Sequence, residues 1–454
     1  MTDAEGSGPA GELATTEFTG ASPPAEDAPP PNAPPQDPAP QDPPAQLGVV
    51  ATWRQTPRPA RALLAGVFVS KLAGFLQIFL VLFLTHRGFS SGQAGLALGL
   101  YGAGAVAGTF AGGYLSDRLT ARAAMLISMG GSAVLIVSII YLRLYPLILV
   151  AVLLVSAVGQ LYRPAAQAMI TELTPASRLV MVTAMYRLCL NLGTTAAPLI
   201  GVALVSVSYS LLFWGEALAA VLYGLIALLA LPRGQRPAAP EPAPGQPKAA
   251  RSGYLALLGD WRYVVFLGAF FMLCIVYCQY TVIVPLAIVK AGLSVWWYGA
   301  VITLNAAVVV SLEVWATKFT QAWPARLAAA CGFTLLALGY AVYAIKLVPL
   351  FLILGTLIWT VSEIFGAPTV YAYPGMIAPA HLRGRYFGAL QGMYGLGATV
   401  GPILGVELFD HLGQRVFGLA ALVAVAGTAT SQIGMRRVRA DAPAQVPTGS
   451  AAQP

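Results

Sequence analysis

Twelve segments of this 454-residue chain are apolar over a length that matches the hydrocarbon thickness of a bilayer. They lie near residues 63–84, 91–114, 123–141, 147–170, 181–206 and 210–231, then near 263–287, 295–317, 326–345, 348–371, 384–407 and 415–435. A helix needs about 20 such residues to cross, and inside lipid it must satisfy its own backbone N–H and C=O groups. The expected fold is therefore all-α and integral to a membrane, with twelve transmembrane helices. Composition excludes the alternatives. With 57% hydrophobic and 10% charged residues, the chain has too little polar surface for a soluble protein and too much apolar surface for a disordered one. The net charge of +8 is read as basic loops on one membrane face, not as a nucleic-acid patch.

The ends and the middle have a different composition. Residues 1–52 hold 12 of the 34 prolines and eight acids, with no apolar run and no basic residue before Arg54. They read as a disordered acidic tail, not as a signal peptide. Residues 61–231 and 262–435 are expected as two six-helix bundles, joined by a Pro- and Gly-rich linker at 232–261 and followed by a tail at 436–454. Placing both termini in the cytoplasm puts 18 Lys and Arg on that side and five on the other, which sets the orientation. Cys189, Cys274, Cys278 and Cys331 lie in apolar segments with no histidine near, so no disulfide, metal site or cofactor is expected.

The two bundles repeat at an offset of 204 residues. Pro164 matches Pro368, Pro175 matches Pro379, Leu192–Gly193 matches Leu396–Gly397, Pro198 matches Pro402 and Gly201–Val202 matches Gly405–Val406. Six spans is an even number, so both copies share one orientation. A parallel repeat of this kind points to a transporter with its site between the halves.

After the second span the chain reads Gly113-Tyr-Leu115-Ser-Asp117-Arg118-Leu-Thr-Ala-Arg122. This resembles the signature of the major facilitator superfamily, with Gly113, Leu115, Asp117, Arg118 and Arg122 matching, Thr120 in place of a glycine and Ala121 in place of a basic residue. The resemblance implies the major facilitator fold and a gate in which Asp117 meets the positive N-terminal end of helix 11. Helix 5 carries Gly193, Ala197, Pro198 and Gly201, which resembles the family's antiporter motif. Helix 11 carries a fuller copy in Gly397, Gly401, Pro402 and Gly405. In the family, helices 2 and 11 pack across the halves, as do helices 5 and 8. Small residues there would let the halves rock, or would serve simple close packing.

A charge inside a span needs a reason. Those expected within the spans are Lys71, Arg163, Arg187, Glu216, Glu313, Glu363 and Glu407. The resemblance puts helices 1, 4, 7 and 10 around a central cavity, which selects Lys71, Arg163 and Glu363. Glu363 is expected either to couple a proton or to form a static salt bridge, with Arg163 or Lys71 as counter-charge. Arg187 is expected to pair with Glu172 or to snorkel. Glu313 is expected to be neutralised by Lys318 or Arg326, and Glu216 and Glu407 to lie near the outer surface. Tyr277, Gln279, Tyr280, Trp359, Tyr371 and Tyr373 are candidate cavity residues, and Trp296–Tyr298 an interfacial belt.

The leading expectation is a monomeric secondary transporter of a bacterial plasma membrane, working by alternating access. Its partners are the lipid bilayer, a small-molecule cargo and the proton as coupling ion. It resembles the 12-span drug:proton antiporters, which implies efflux of small amphipathic compounds. Proton-coupled uptake of a sugar, organic acid or peptide is the alternative, and a non-transporting sensor is a remote one. No HExxH, phosphate-binding loop or nucleophile elbow appears, so no enzyme is expected.

Overall fold

The computed structural model describes residues 49–233 and 254–435. Most of the expected acidic tail, the middle of the linker and the 436–454 tail lie outside them. The last four residues of the expected tail, Val49–Thr52, open a short helix that runs to Gln55. Among the described residues there are helices and no strand.

Among the described residues eleven stretches have the length and apolarity of spans, and the last, Ala380–Gly434, holds two helices, which makes twelve: α1 (Arg58–His86), α2 (Ser91–Arg118), α3 (Ala121–Tyr141), α4 (Tyr145–Leu173), α5 (Leu179–Val205) and α6 (Tyr209–Ala230), then α7 (Trp261–Thr281), α8 (Trp296–Thr320), α9 (Ala325–Ile345), α10 (Pro349–Ile377), α11 (Arg383–Leu412) and α12 (Val416–Gly434). Only a tight turn at Gly413–Arg415, with Gly413 at φ +56°, separates the last two. Side chains fix several starts. Ser90 and Gln93 cap α2 reciprocally. Thr120 accepts the Ala123 N–H and so starts α3, which gives the threonine a use at a position where the family motif has glycine. Asp260 does the same for α7.

Each half has its own core, one made almost wholly from α1–α6 and one from α7–α12. The outside is apolar, with Leu199, Leu229 and Leu422 more than two-thirds exposed. Such a surface belongs in lipid. Inside the first half, Gly104, Gly108 and Gly112 set α2 directly on the α4 backbone.

The halves meet at one end. From Val106 to Asp117, α2 packs on α11 from Gly384 to Gly395. A Cβ on Gly388 would lie 3.0 Å from the Gly113 Cα. The same face of α2 continues to Gly99 and Gly95, which meet nothing, and that of α11 to Ala398 and Thr399, which are exposed. The seam is closed at the Asp117 end and splayed apart at the other.

The helix 5 and helix 11 motifs do not lie on this seam. Gly193 faces Lys71 and Leu72 of α1, Gly201 faces Phe79, and Ala197 is buried between them. Gly397, Gly401 and Gly405 face Cys274, Ile275 and Gln279 of α7. The small residues of both motifs therefore serve close packing within a half, the second of the two readings, and the expected place of these motifs between the halves is corrected. The glycines of the seam are Gly113, Gly384, Gly388, Gly392 and Gly395.

The small residues of the α5 and α11 motifs pack against broken helix. α1 stops at Leu72 and restarts at Phe75, and α7 passes through a tight turn at Cys278–Thr281. These are equivalent positions of the 204-residue repeat. Each break frees backbone groups, and each half satisfies them differently. In the first, the Glu216 carboxylate of α6 accepts the Leu76 N–H at 2.6 Å. In the second, the Gln279 amide donates to the Ile275 and Gly401 carbonyls, both at 2.8 Å. Glu216 was expected as a hydrated outer carboxylate. The break in α1 gives it a structural task instead, and Lys71 is among its electrostatic neighbours. Glu216→Leu strands an N–H at the break. It is expected to lose about 1–3 kcal/mol of stability, read as a lower thermal unfolding midpoint in detergent, whereas Glu216→Gln keeps an acceptor and loses less.

Candidate functional site

At mid-depth one arginine ties the halves together. Arg187 of α5 donates from Nε to Glu313 Oε1 of α8 at 2.5 Å and from Nη2 to Glu363 Oε1 of α10 at 2.8 Å. Its guanidinium lies over the Tyr371 ring, 5.3 Å from the centroid. On Glu363, Oε2 accepts from the Tyr277 hydroxyl at 3.3 Å and from Asn305 Nδ2 at 3.5 Å. Asn305 also donates to Thr360 at 3.1 Å. Tyr277, Tyr280 and Trp359 form an aromatic group beside it.

The two carboxylates are not alike. The Glu313 side chain is fully buried and its Oε2 has no hydrogen-bond partner among the described residues. The Glu363 side chain is 11% exposed. Two carboxylates on one guanidinium carry a net charge of −1 when both are ionised, and a single proton makes the set neutral.

These contacts change the expected pairings. The partner of Glu363 is Arg187, not Arg163 or Lys71. Arg187 neither pairs with Glu172 nor snorkels, and Glu313 is met by Arg187, not by Lys318 or Arg326. The helix crossing brings α5, α8 and α10 together at one depth, which apolar periodicity does not encode. Lys71 sits at the break of α1 beside Gly193. Arg163 stands on α4 near the phenols of Tyr162, Tyr186, Tyr371 and Tyr394. Glu407 lies on the surface with His411, 3.1 Å away. Tyr373 is in the second core against Phe266 and lines no cleft.

The second cross-half contact is at the closed end. Asp117 accepts the backbone N–H of Gly384 at 2.6 Å and of Arg385 at 3.0 Å, in the first turn of α11. The Arg385 Nε lies 3.6 Å from the same carboxylate. Arg385 and Arg118 both lie over the Tyr114 ring, at 5.2 and 4.8 Å. Arg122 donates to the Leu228 carbonyl at the end of α6. Leu115 packs against the first core, and Gly113 leaves room for the α11 backbone and the Tyr254 hydroxyl. That hydroxyl donates to the Phe110 carbonyl at 2.5 Å. Removing the carboxylate leaves two α11 N–H groups without their acceptor. Asp117→Ala is therefore expected to loosen the seam, and a cysteine placed at the buried Thr109 (3% exposed) should react several-fold faster with a water-soluble maleimide than in the Asp117 background.

Comparison with known proteins fits this geometry. The family model described as Major Facilitator Superfamily matches residues 63–388. The chain is 23% identical over 366 residues to the uncharacterised MFS-type transporter YqjV of Bacillus subtilis, covering 80% of this chain and 88% of that one. It is 25% identical over 359 residues to a Na(+), Li(+), K(+)/H(+) antiporter of Planococcus maritimus, covering 72% and 83%. The crystal structure of the transporter FucP in the outward conformation superposes with a TM-score of 0.67 at 16% identity, covering 83% of this chain and 99% of that one. With a family match over well more than half of its length, and relatives and fold that are those of transporters and not of enzymes, the chain belongs to the major facilitator superfamily of secondary transporters.

Proposed function

We propose that the chain is a proton-coupled transporter of small amphipathic solutes, with export as its direction, in a plasma membrane whose cytoplasmic side carries the Asp117 end. The observation that carries the coupling is Arg187 of one half held by Glu313 and Glu363 of the other. A proton on Glu363 turns an ion pair into a neutral hydrogen bond and weakens the tie between halves. Glu313 stays behind as counter-ion, so the guanidinium is never left uncompensated, a state that costs about 3–5 kcal/mol when a buried partner is removed. Exposure favours this division of labour, since Glu363 borders the cleft and Glu313 is sealed.

Asp117 acts as a latch. Its two backbone hydrogen bonds hold the cytoplasmic side shut while the cleft is open outward. The 18 Lys and Arg placed on that side support the orientation. The antiporter among the relatives supports a proton as coupling ion. For the cargo, the aromatic group of Tyr277, Tyr280 and Trp359 with few uncharged polar neighbours suits an amphipathic molecule more than a sugar.

Proteoliposomes with an imposed pH gradient and a panel of amphipathic dyes and antibiotics test the reading. The unaltered protein should move one or more of them faster with the gradient than without it. Glu363→Gln should remain folded and transport at a rate that no longer depends on the gradient. Full gradient dependence in Glu363→Gln removes the coupling assignment, and driven accumulation of a sugar with no effect on the panel favours uptake.

A further inference from the structure

A short helix precedes the first span of each half, and the two are copies of one another. At the 204-residue offset Val50 matches Tyr254, Trp53 matches Leu257 and Thr56 matches Asp260. The helices run over Val49–Gln55 and Leu255–Leu258. In the first, Val49, Thr52 and Thr56 fall on one face, at spacings of three and four. Val49 packs on the first core and both threonines are buried, while Val50 and Trp53 on the other face are exposed. In the second, Leu257 is buried in the second core and Tyr254 packs against it.

Each stretch also reaches the opposite half. Val49–Gln55 lies against α5 of its own half and α8 of the other. Tyr254 sits beside Gly388 of α11, in its own half, and donates its hydroxyl to the Phe110 carbonyl of α2 at 2.5 Å. The Tyr254 and Phe110 rings meet edge to face, 5.4 Å between centroids. The fit is close, since a Cβ on Gly113 would lie 2.6 Å from the Tyr254 oxygen and one on Gly388 2.5 Å. In the repeat, α11 is the copy of α5 and α8 that of α2. The two arrangements therefore share the symmetry of the bundles. One stretch crosses the α5/α8 boundary and the other the α2/α11 boundary. Neither can follow the opposite half. Thr56–Pro57 joins the first directly to α1, and Gly259–Asp260 joins the second directly to α7.

We infer that these two stretches are a matched pair of clasps on the Asp117 end, each anchored to its own half and holding the second helix of the other. Because each half moves as a unit, separation at this end has to pull both clasps off together. Release of either one therefore favours opening along the whole boundary and not only beside it. The inference rests on the reading of the Asp117 end as a gate, and it needs neither the coupling ion nor the cargo.

Two cysteines report the opening. Thr109→Cys lies on the α2/α11 boundary, and Thr171→Cys lies where buried α4 meets Gly375 of α10. The purified full chain in detergent is treated with a water-soluble maleimide, and labelling is followed peptide by peptide. Native Cys274, buried within the second half, is the control. Tyr254→Phe keeps the ring and loses the hydroxyl. It should speed labelling of both reporters by about two- to tenfold, the range for one neutral hydrogen bond, and leave Cys274 unchanged. Thr52→Arg forces a charge onto the buried face of the first stretch and should speed both reporters at least as much. A merely local role would expose Thr109→Cys alone in Tyr254→Phe. Failure of either variant to speed both reporters overturns the inference, as does an equal rise at Cys274, the mark of general loosening. Asp117→Ala is the reference. Reporters that answer to it and not to the clasp variants remove the clasps and leave the gate standing. Reporters that answer to none of the three remove the gate reading and the clasps with it.

Discussion

A guanidinium inside a membrane protein is costly unless water or an opposite charge compensates it. In this chain Arg187 meets that demand with two carboxylates that come from the opposite half. The arrangement stabilises the fold only weakly, because desolvation of the charges offsets most of their attraction. Its effect is on geometry. The pair of contacts sets α5 against α8 and α10 at one depth, and any separation of the halves there must first resolve the charges. The apolar cores contribute no such requirement, since each is confined almost entirely to its own half. Burial thus makes the halves rigid, and charge decides how they are joined.

The internal packing of each half explains why the halves can move as units. α5 lies on α1, and α11 on α7, through small residues that allow no Cβ between backbones. The broken points of α1 and α7 are closed by Glu216 and Gln279 from inside the same half. The broken helices of a transporter usually bare backbone polar groups to a cavity. Here Glu216 and Gln279 engage backbone groups at or beside the breaks. The two repeats differ here, with an acid accepting an N–H at the α1 break and an amide donating to carbonyls of α7 and α11 at the other. A repeat conserves the break and leaves its chemical remedy free.

Much of this was legible in the sequence. Twelve spans, their division into sixes and the superfamily followed from apolar length, the 204-residue offset and the loop at Gly113–Arg122. The charge pairing did not, although a partial signal existed. Arg187 lies eight residues after the start of α5 and Glu313 seven before the end of α8, both counted from the Asp117 end. At about 1.5 Å per residue these are similar depths. Matching depth would have paired them ahead of Glu172 or Lys318. It could not have selected Glu363, whose position depends on how α10 crosses the other two helices. The task of Glu216 was hidden for another reason. Gly74 precedes the restart at Phe75, but a glycine inside an apolar run does not by itself announce a break, so the acid had no visible group to satisfy.

The two cross-half ties differ in what can release them. Asp117 holds α11 through backbone N–H groups, which do not titrate, and through the helix end, whose partial charge is fixed. Such a contact yields to movement or to loss of the carboxylate charge, and each charged hydrogen bond in it is worth about 1.5–3 kcal/mol. On the coupling proposed above, the Arg187 cluster would change its strength without moving, because a proton on Glu363 would alter the charge of the set while Glu313 still faces the guanidinium. In that reading the tie that answers to a proton borders the cleft, where Glu363 is partly exposed, and the backbone tie of Asp117 sits at the closed end, so that coupling and gating would be placed at different depths of the same boundary between the halves.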